Sequence, residues 1–145
     1  MALLSFLGPE LLDRVPGDVR PLDELAAHAD VPSEMGVYLL LAASQRFTYP
    51  RGASPVFYIG MTRSLRARLN THVRFTRQAR SRRALELYYP RYEYAAAFGA
   101  RYAYMVTTPG EGPRELEAET LGRFGRRFGS FPVANGAGSW RWIVG

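Results

Sequence analysis

The 145-residue chain has no cysteine, no lysine, and only two histidines, His28 and His72. The missing cysteine excludes disulfide frameworks, thiolate zinc sites and thiol nucleophiles. The two histidines are too few and too far apart in sequence to suggest a metal cluster, so any metal must rest on carboxylates and water. That chemistry selects hard ions such as Mg²⁺ or Mn²⁺. No apolar run approaches the roughly 18 residues a membrane helix needs, and the N-terminus lacks the basic start of a secretory signal. The expectation is a cytoplasmic protein with no membrane partner. A chain of this length suits a single domain that buries about two-thirds of its unfolded surface.

What is present is arginine, and its distribution says more than the net charge of +6. Residues 1–35 carry two arginines against seven acids, whereas residues 36–100 carry eleven arginines against two acids. From Arg63 to Arg83 there are eight arginines and no acid. The planar guanidinium pairs bidentately with phosphate, so such a run is a reasonable nucleic-acid footprint. A solvated face written in arginine instead of lysine explains the missing lysine but not the missing acids.

Along the chain, residues 1–35 read as an acidic, mostly helical N-terminal extension broken by Pro9, Pro16, Pro21 and Pro32, with a short helix over Asp23 to His28. Residues 36–145 read as the main domain. Gly36 to Ala42 is almost continuously apolar, as in a strand buried on both faces. Residues 43–55, with Pro50, Gly52 and Pro55, carry a loop signature, and Val56 to Gly60 forms a second strand antiparallel to the first. Thr62 or Ser64 can cap a helix to about Phe75, in which Leu65, Leu69 and Val73 repeat. Ser81 to Phe98 is helical in composition, interrupted at Pro90 and ended by Gly99. Tyr102 to Thr107 is a third strand, and a last helix runs from Pro113 to about Phe128. The fold class expected is α+β, with a small, mainly antiparallel three-stranded sheet flanked by helices in the order β-β-α-α-β-α.

Three local patterns coincide on these elements: Gly36-Val37-Tyr38 on the first strand, Tyr58-Ile59-Gly60 on the second, and Tyr58-Ile59-Gly60-Met61-Thr62 followed by Leu65, Arg68, Leu69 and His72. Each tripeptide alone is weak, because tyrosine is a common strand residue. Together, over about residues 36–135, they resemble the spaced signature of the GIY-YIG nuclease superfamily. The resemblance implies a small domain that cuts phosphodiesters with Tyr38, Tyr58, Arg68, His72 and Glu117 as catalytic residues and Glu117 as the ligand of one divalent cation. It also matches Asn135, after Phe131-Pro132-Val133, to the asparagine that helps close the family's site. Gly60, Asn135 and, from the basic run, Arg63, Arg66, Arg74 and Arg77 are the candidate substrate contacts.

Side-chain direction tests parts of this. At about 100° per residue, Arg68 and His72 lie within roughly 40° of each other beside the Leu65-Leu69-Val73 stripe and can point along the sheet toward the tyrosines. The plainer alternatives are that Arg68 belongs to the solvated run and that His72 is a satisfied histidine at the core edge. With Arg114 at zero, Leu116, Phe124, Phe128 and Leu121 fall at roughly 200°, 280°, 320° and 340°, and Glu117 near 300°, inside that apolar arc. Glu115 and Glu119 fall on the opposite side. A carboxylate on a core face asks for a cation or an arginine. Tyr88, Tyr89, Tyr92, Tyr94 and Phe98, near Arg82, Arg83 and Arg91, form either core or a stacking surface for unpaired bases, with core favoured for most.

Two departures from the family pattern stand out: the spacing from Tyr38 to Tyr58 is long, implying an enlarged hairpin loop with Arg46 and Arg51, and Met61 stands where some members have lysine. The reaction implied is in-line hydrolysis by water, with Arg68 neutralising charge on the phosphoryl oxygens and one tyrosine positioning or deprotonating the water. Which tyrosine does this stays open; their hydroxyls converge only if the hairpin register places both on one face. The expected partner is DNA, with single-stranded, branched and duplex forms, and RNA, left open. The alternatives are a nucleic-acid-binding module without chemistry, and a protein-interaction domain whose acidic N-terminal segment docks a partner or covers the basic face.

Overall fold

The computed structural model describes residues 2–81 and 89–135. Its centre is β2, Gly36–Ala42, buried at every position because both faces are covered. On one side β2 pairs antiparallel with β5, Val56–Thr62, and on the other with β6, Ala100–Val106. The apolar runs that mark these strands in the sequence are therefore the three main strands of an α+β fold.

Among the described residues the sheet has four strands rather than three: a short edge strand, β1 (Arg20–Pro21), gives the order β1-β6-β2-β5. Strand β1 pairs with Tyr102 and Arg101 of β6. Two residues carry no alternation to detect, and proline is tolerated there because β1 is an edge. The expected loop over residues 43–55 also holds a small hairpin, β3 (Phe47–Tyr49) against β4 (Gly52–Ser54). The Tyr49 hydroxyl donates to the Val56 carbonyl at 2.8 Å and its ring lies 5.1 Å from that of Phe124, which ties this hairpin to the body of the protein.

Helix α2, Leu65–Ser81, starts after Ser64, whose Oγ accepts the Ala67 amide at 3.3 Å. It continues past the expected end at Phe75 because Thr76 extends the buried stripe of Leu65, Leu69 and His72. Of the helical stretch expected after Ser81, α3 (Pro90–Phe98) is described; Arg82, Arg83 and Tyr88 lie outside the described residues. Helix α4 occupies Pro113–Phe128, opened by proline in its first turn and closed by Gly129 in the left-handed region at φ 86°.

The two sheet faces make two cores. Val37, Leu39, Leu41, Ile59 and Met105 face α4 and the N-terminal segment, a 3₁₀ turn (Ala2–Leu7) followed by α1, Gly8–Leu12. Leu4, Leu7 and Leu11 are built into that core, and Phe6 meets Phe124 edge-on at 5.1 Å. Tyr38, Leu40, Phe57, Tyr102 and Tyr104 face the side that carries α2, α3 and the 3₁₀ helix Leu22–Ala27, which stands where the short helix over Asp23 to His28 was expected. Among the described residues no helix is long and apolar enough to cross a membrane.

Candidate active site

The β2–β5 register sets Tyr38 opposite Gly60 and Leu40 opposite Tyr58, so the two tyrosines share a face with their ring centroids 6.0 Å apart. A bulge between Leu40 and Leu41 inserts Phe57 as an extra residue on β5, and Phe57 and Tyr58 both turn toward the core under α2. Gly60 is needed for this arrangement. A Cβ there would stand 2.6 Å from the Tyr38 hydroxyl oxygen and 2.8 Å from the Tyr58 ring.

From α2, Arg68 and His72 arrive one turn apart. Arg68 Nε donates to the Tyr38 hydroxyl at 3.2 Å, and the same hydroxyl is hydrogen-bonded to His72 Nε2 at 2.8 Å. Tyr38 and His72 are both 0% exposed. Burial, aided by the Arg68 and Arg91 charges, holds the His72 pKa well below its ordinary value, so the ring is neutral. Burial pushes the Tyr38 pKa up, reinforced by Tyr58 and opposed by Arg68. Tyr58, by contrast, is half-buried.

Glu117 projects from the inner arc of α4 and is half-buried, while Glu119 is exposed and accepts from Arg123 at 2.8 Å. Burial raises the Glu117 pKa above the usual carboxylate value, with the Met61 backbone amide and then Arg114 pulling it back. Among the described residues no ion pair involves Glu117. Helix α4 packs on the sheet face opposite α2 and lies against β5, the strand that carries Met61 and its neighbour Gly60. Asn135 acts on the same strand: its Oδ1 accepts the Ile59 amide at 3.0 Å and its Nδ2 donates to the Ile59 carbonyl at 2.7 Å. Its amide group is thus committed to holding the outer edge of β5.

The arginine run divides by role. Arg66 donates to the carbonyls of Leu25 and His28 at 3.1 and 2.6 Å, clamping the N-terminal segment onto α2, and Arg80 faces Asp23 at 3.4 Å. Arg63, Arg74 and Arg77 are exposed. Tyr92 is buried, and Tyr94 and Phe98 pack on Phe47 at 5.3 and 5.8 Å, so these are core aromatics. The sequence placed Arg91 beside a possible base-stacking surface but not among the candidate site residues. Its guanidinium carbon lies 5.1 Å from the Tyr58 centroid, 5.0 Å from Tyr92 and 4.5 Å from Tyr89. Its only signal in the sequence is a position at the start of a helix between two tyrosines, and among 19 arginines that is faint.

The chain matches no protein-family model, no curated protein and no solved structure. Among the described residues no three histidines and carboxylates gather to cage an ion. A half-buried carboxylate with no ion pair among the described residues fits a different holder, a hard cation bound through one carboxylate and otherwise hydrated.

Proposed function

We propose that the chain is a metal-dependent endonuclease of the GIY-YIG type, hydrolysing phosphodiester bonds in DNA. The observation that carries this reading is the convergence of Tyr38, Tyr58, Arg68 and His72, from two strands and one helix, beside Gly60, where an added Cβ would strike both tyrosines. Arg68 uses Nε to hold Tyr38, and the rest of its fork has no hydrogen-bond partner among the described residues. That fork suits the non-bridging oxygens of a phosphodiester, where it would offset the charge that grows in the transition state.

The tyrosines divide the work by exposure. Tyr38 is enclosed and bonded to Arg68 and His72, so it orients the arginine and is remote from water. Tyr58 retains exposure and is the tyrosine that can meet a water molecule and align it for in-line attack. Neutral His72 fixes the Tyr38 hydroxyl in this scheme. Glu117 would hold Mg²⁺ or Mn²⁺, which supplies electrostatic stabilisation of the leaving oxygen when bound. The test is cleavage of labelled single-stranded, branched and duplex DNA, and RNA, with Mn²⁺ or Mg²⁺, with and without chelator. Chelator-sensitive cleavage of DNA supports the reading; salt-sensitive binding with no cleavage of any substrate replaces it with that of a binding module.

A further inference from the structure

We infer that Arg91 and Arg68 form a two-arginine clamp for one backbone phosphate, and that the strand they hold is unpaired there, its neighbouring base stacked on Tyr89. This rests on the proposed nuclease reading for the identity of the ligand. It adds a second cation and a strand preference that the signature residues do not contain.

Three observations meet at Arg91. The guanidinium lies 5.1 Å from the Tyr58 centroid, so from α3 it reaches the tyrosine that stands beside Tyr38, the one Arg68 bonds. Its charge acts on both Tyr38 and His72, as does that of Arg68, and the influences on those two groups include no carboxylate. Among the described residues no ion pair satisfies either arginine, and Arg91 Nε is a buried donor without a hydrogen-bond acceptor. Two like charges brought to one patch repel, and a buried donor left unpaired is costly. A phosphodiester answers the repulsion: it brings one negative charge and acceptor oxygens that suit planar forks.

Tyr89 sets the strand type. Tyr92 is buried, whereas Tyr89 is 44% exposed and meets Tyr92 edge-on at 5.9 Å, so the Tyr89 ring stands at the surface beside the guanidinium. A base in a duplex is covered on both faces by its neighbours. Only an unpaired base can offer a face to such a ring, and stacking of this kind adds about 1–3 kcal/mol per base.

The test is fluorescence anisotropy of a labelled oligothymidylate and of a labelled duplex, in EDTA, over a sodium chloride series. The full chain and the variants Arg91→Gln, Arg91→Lys and Tyr89→Ala are compared. Arg91→Gln is expected to weaken single-strand binding and to reduce the slope of log affinity against log salt by a part of the about 0.7 that one phosphate contributes, because Arg68 stays on that phosphate. Arg91→Lys keeps the charge and is expected to keep the slope. Tyr89→Ala is expected to weaken the single strand by about tenfold or more and to leave the duplex unchanged. A slope unchanged in Arg91→Gln, with a lowered melting temperature in both Arg91 variants, makes Arg91 a staple between α3 and the sheet and overturns the clamp. Equal losses on single strand and duplex in Tyr89→Ala overturn the unpaired-base assignment. Because this assay contains no metal and reads binding alone, a chain that never cleaves still decides it, and failure of the nuclease reading shows separately in the cleavage assay.

Discussion

Replacing Gly60 with alanine tests the site through a single methyl group. The added carbon would sit 2.6 Å from the Tyr38 hydroxyl oxygen, 2.7 Å from its ring carbon and 2.8 Å from the Tyr58 ring. Neither ring yields easily, since Tyr38 is fully buried and bonded to Arg68 and His72, and Tyr58 lies against it. Overpacking of this kind costs about 1–3 kcal/mol, offset by at most about 1 kcal/mol from the reduced freedom of the unfolded chain. The melting temperature should fall by on the order of 5 °C. The larger effect is expected in turnover, because displacing positioned groups by about 1 Å can cost a hundredfold in rate. Gly122→Ala is the control: its methyl would meet only the flexible tip of Arg126, at 3.3 Å, within a helix where alanine is favoured. Melting by circular dichroism and single-turnover cleavage with Mn²⁺ measure both effects. A Gly60→Ala protein that melts and cleaves like the parent, or a Gly122→Ala protein that loses as much, would refute the claim that the tyrosines are held against this backbone.

Tyr38→Phe should lower stability by about 1–3 kcal/mol, because it strands Arg68 Nε and His72 Nε2, whereas Tyr58→Phe should leave stability nearly unchanged and lower turnover; urea titration and kinetics separate the two. Arg68→Ala should cut turnover by about a hundredfold or more, and Arg77→Ala should chiefly weaken binding and flatten its salt dependence; equal turnover losses would merge the two roles. Glu117→Gln should abolish metal-dependent cleavage and Glu119→Gln should not, and the reverse result would place the cation on the other helix face. Linkage adds a check without activity. The folded chain raises the Glu117 pKa, so between the ordinary carboxylate value and that raised value it binds more protons than the unfolded chain, and stability falls as pH rises through the window. Metal-free Glu117→Gln should therefore be more stable than the parent at neutral pH, with the difference vanishing in acid. His72 runs the other way: its folded pKa is lowered, so its contribution is complete above about pH 6.5 and is lost as pH falls below that, a slope His72→Gln should remove.

The parts of the fold legible in the sequence were those with a repeating cause. Gly36–Ala42 is apolar at almost every position because β2 is covered on both faces, and Pro113 with Gly129 brackets α4 because proline suits a first helical turn and glycine a left-handed cap. The features missed have no repeat. Strand β1 is two residues paired with β6, and the β3–β4 hairpin turns at Pro50 and Arg51 inside a stretch rich in loop residues. The bulge at Leu40 and Leu41 leaves no mark either, since Phe57 and Tyr58 are both apolar enough for any strand face. Tertiary packing decides such elements, so local propensity is silent about them.

The site was legible to the extent that chemistry conflicted with position. Glu117 stood out because a carboxylate in an apolar arc is a local inconsistency, and its half-burial without an ion pair among the described residues keeps that inconsistency in the folded chain. Arg68 and Arg66 could not be told apart by composition. The structure spends Arg66 on the Leu25 and His28 carbonyls and turns Arg68 to Tyr38, a difference set by two residues of helical rotation, roughly 200°. Arg91 reaches Tyr58 only because α3 packs against α2 and the sheet, a long-range fact with no local trace. Among the described residues, two of the four buried side-chain polar atoms without partners are His72 Nδ1 and Arg91 Nε, both beside the tyrosines. A core selected for stability alone would fill such a place with apolar side chains. Keeping a neutral histidine and two cations there, on a sheet face otherwise lined by leucine and aromatic side chains, fits a surface that gains its missing counter-charge from a bound phosphate.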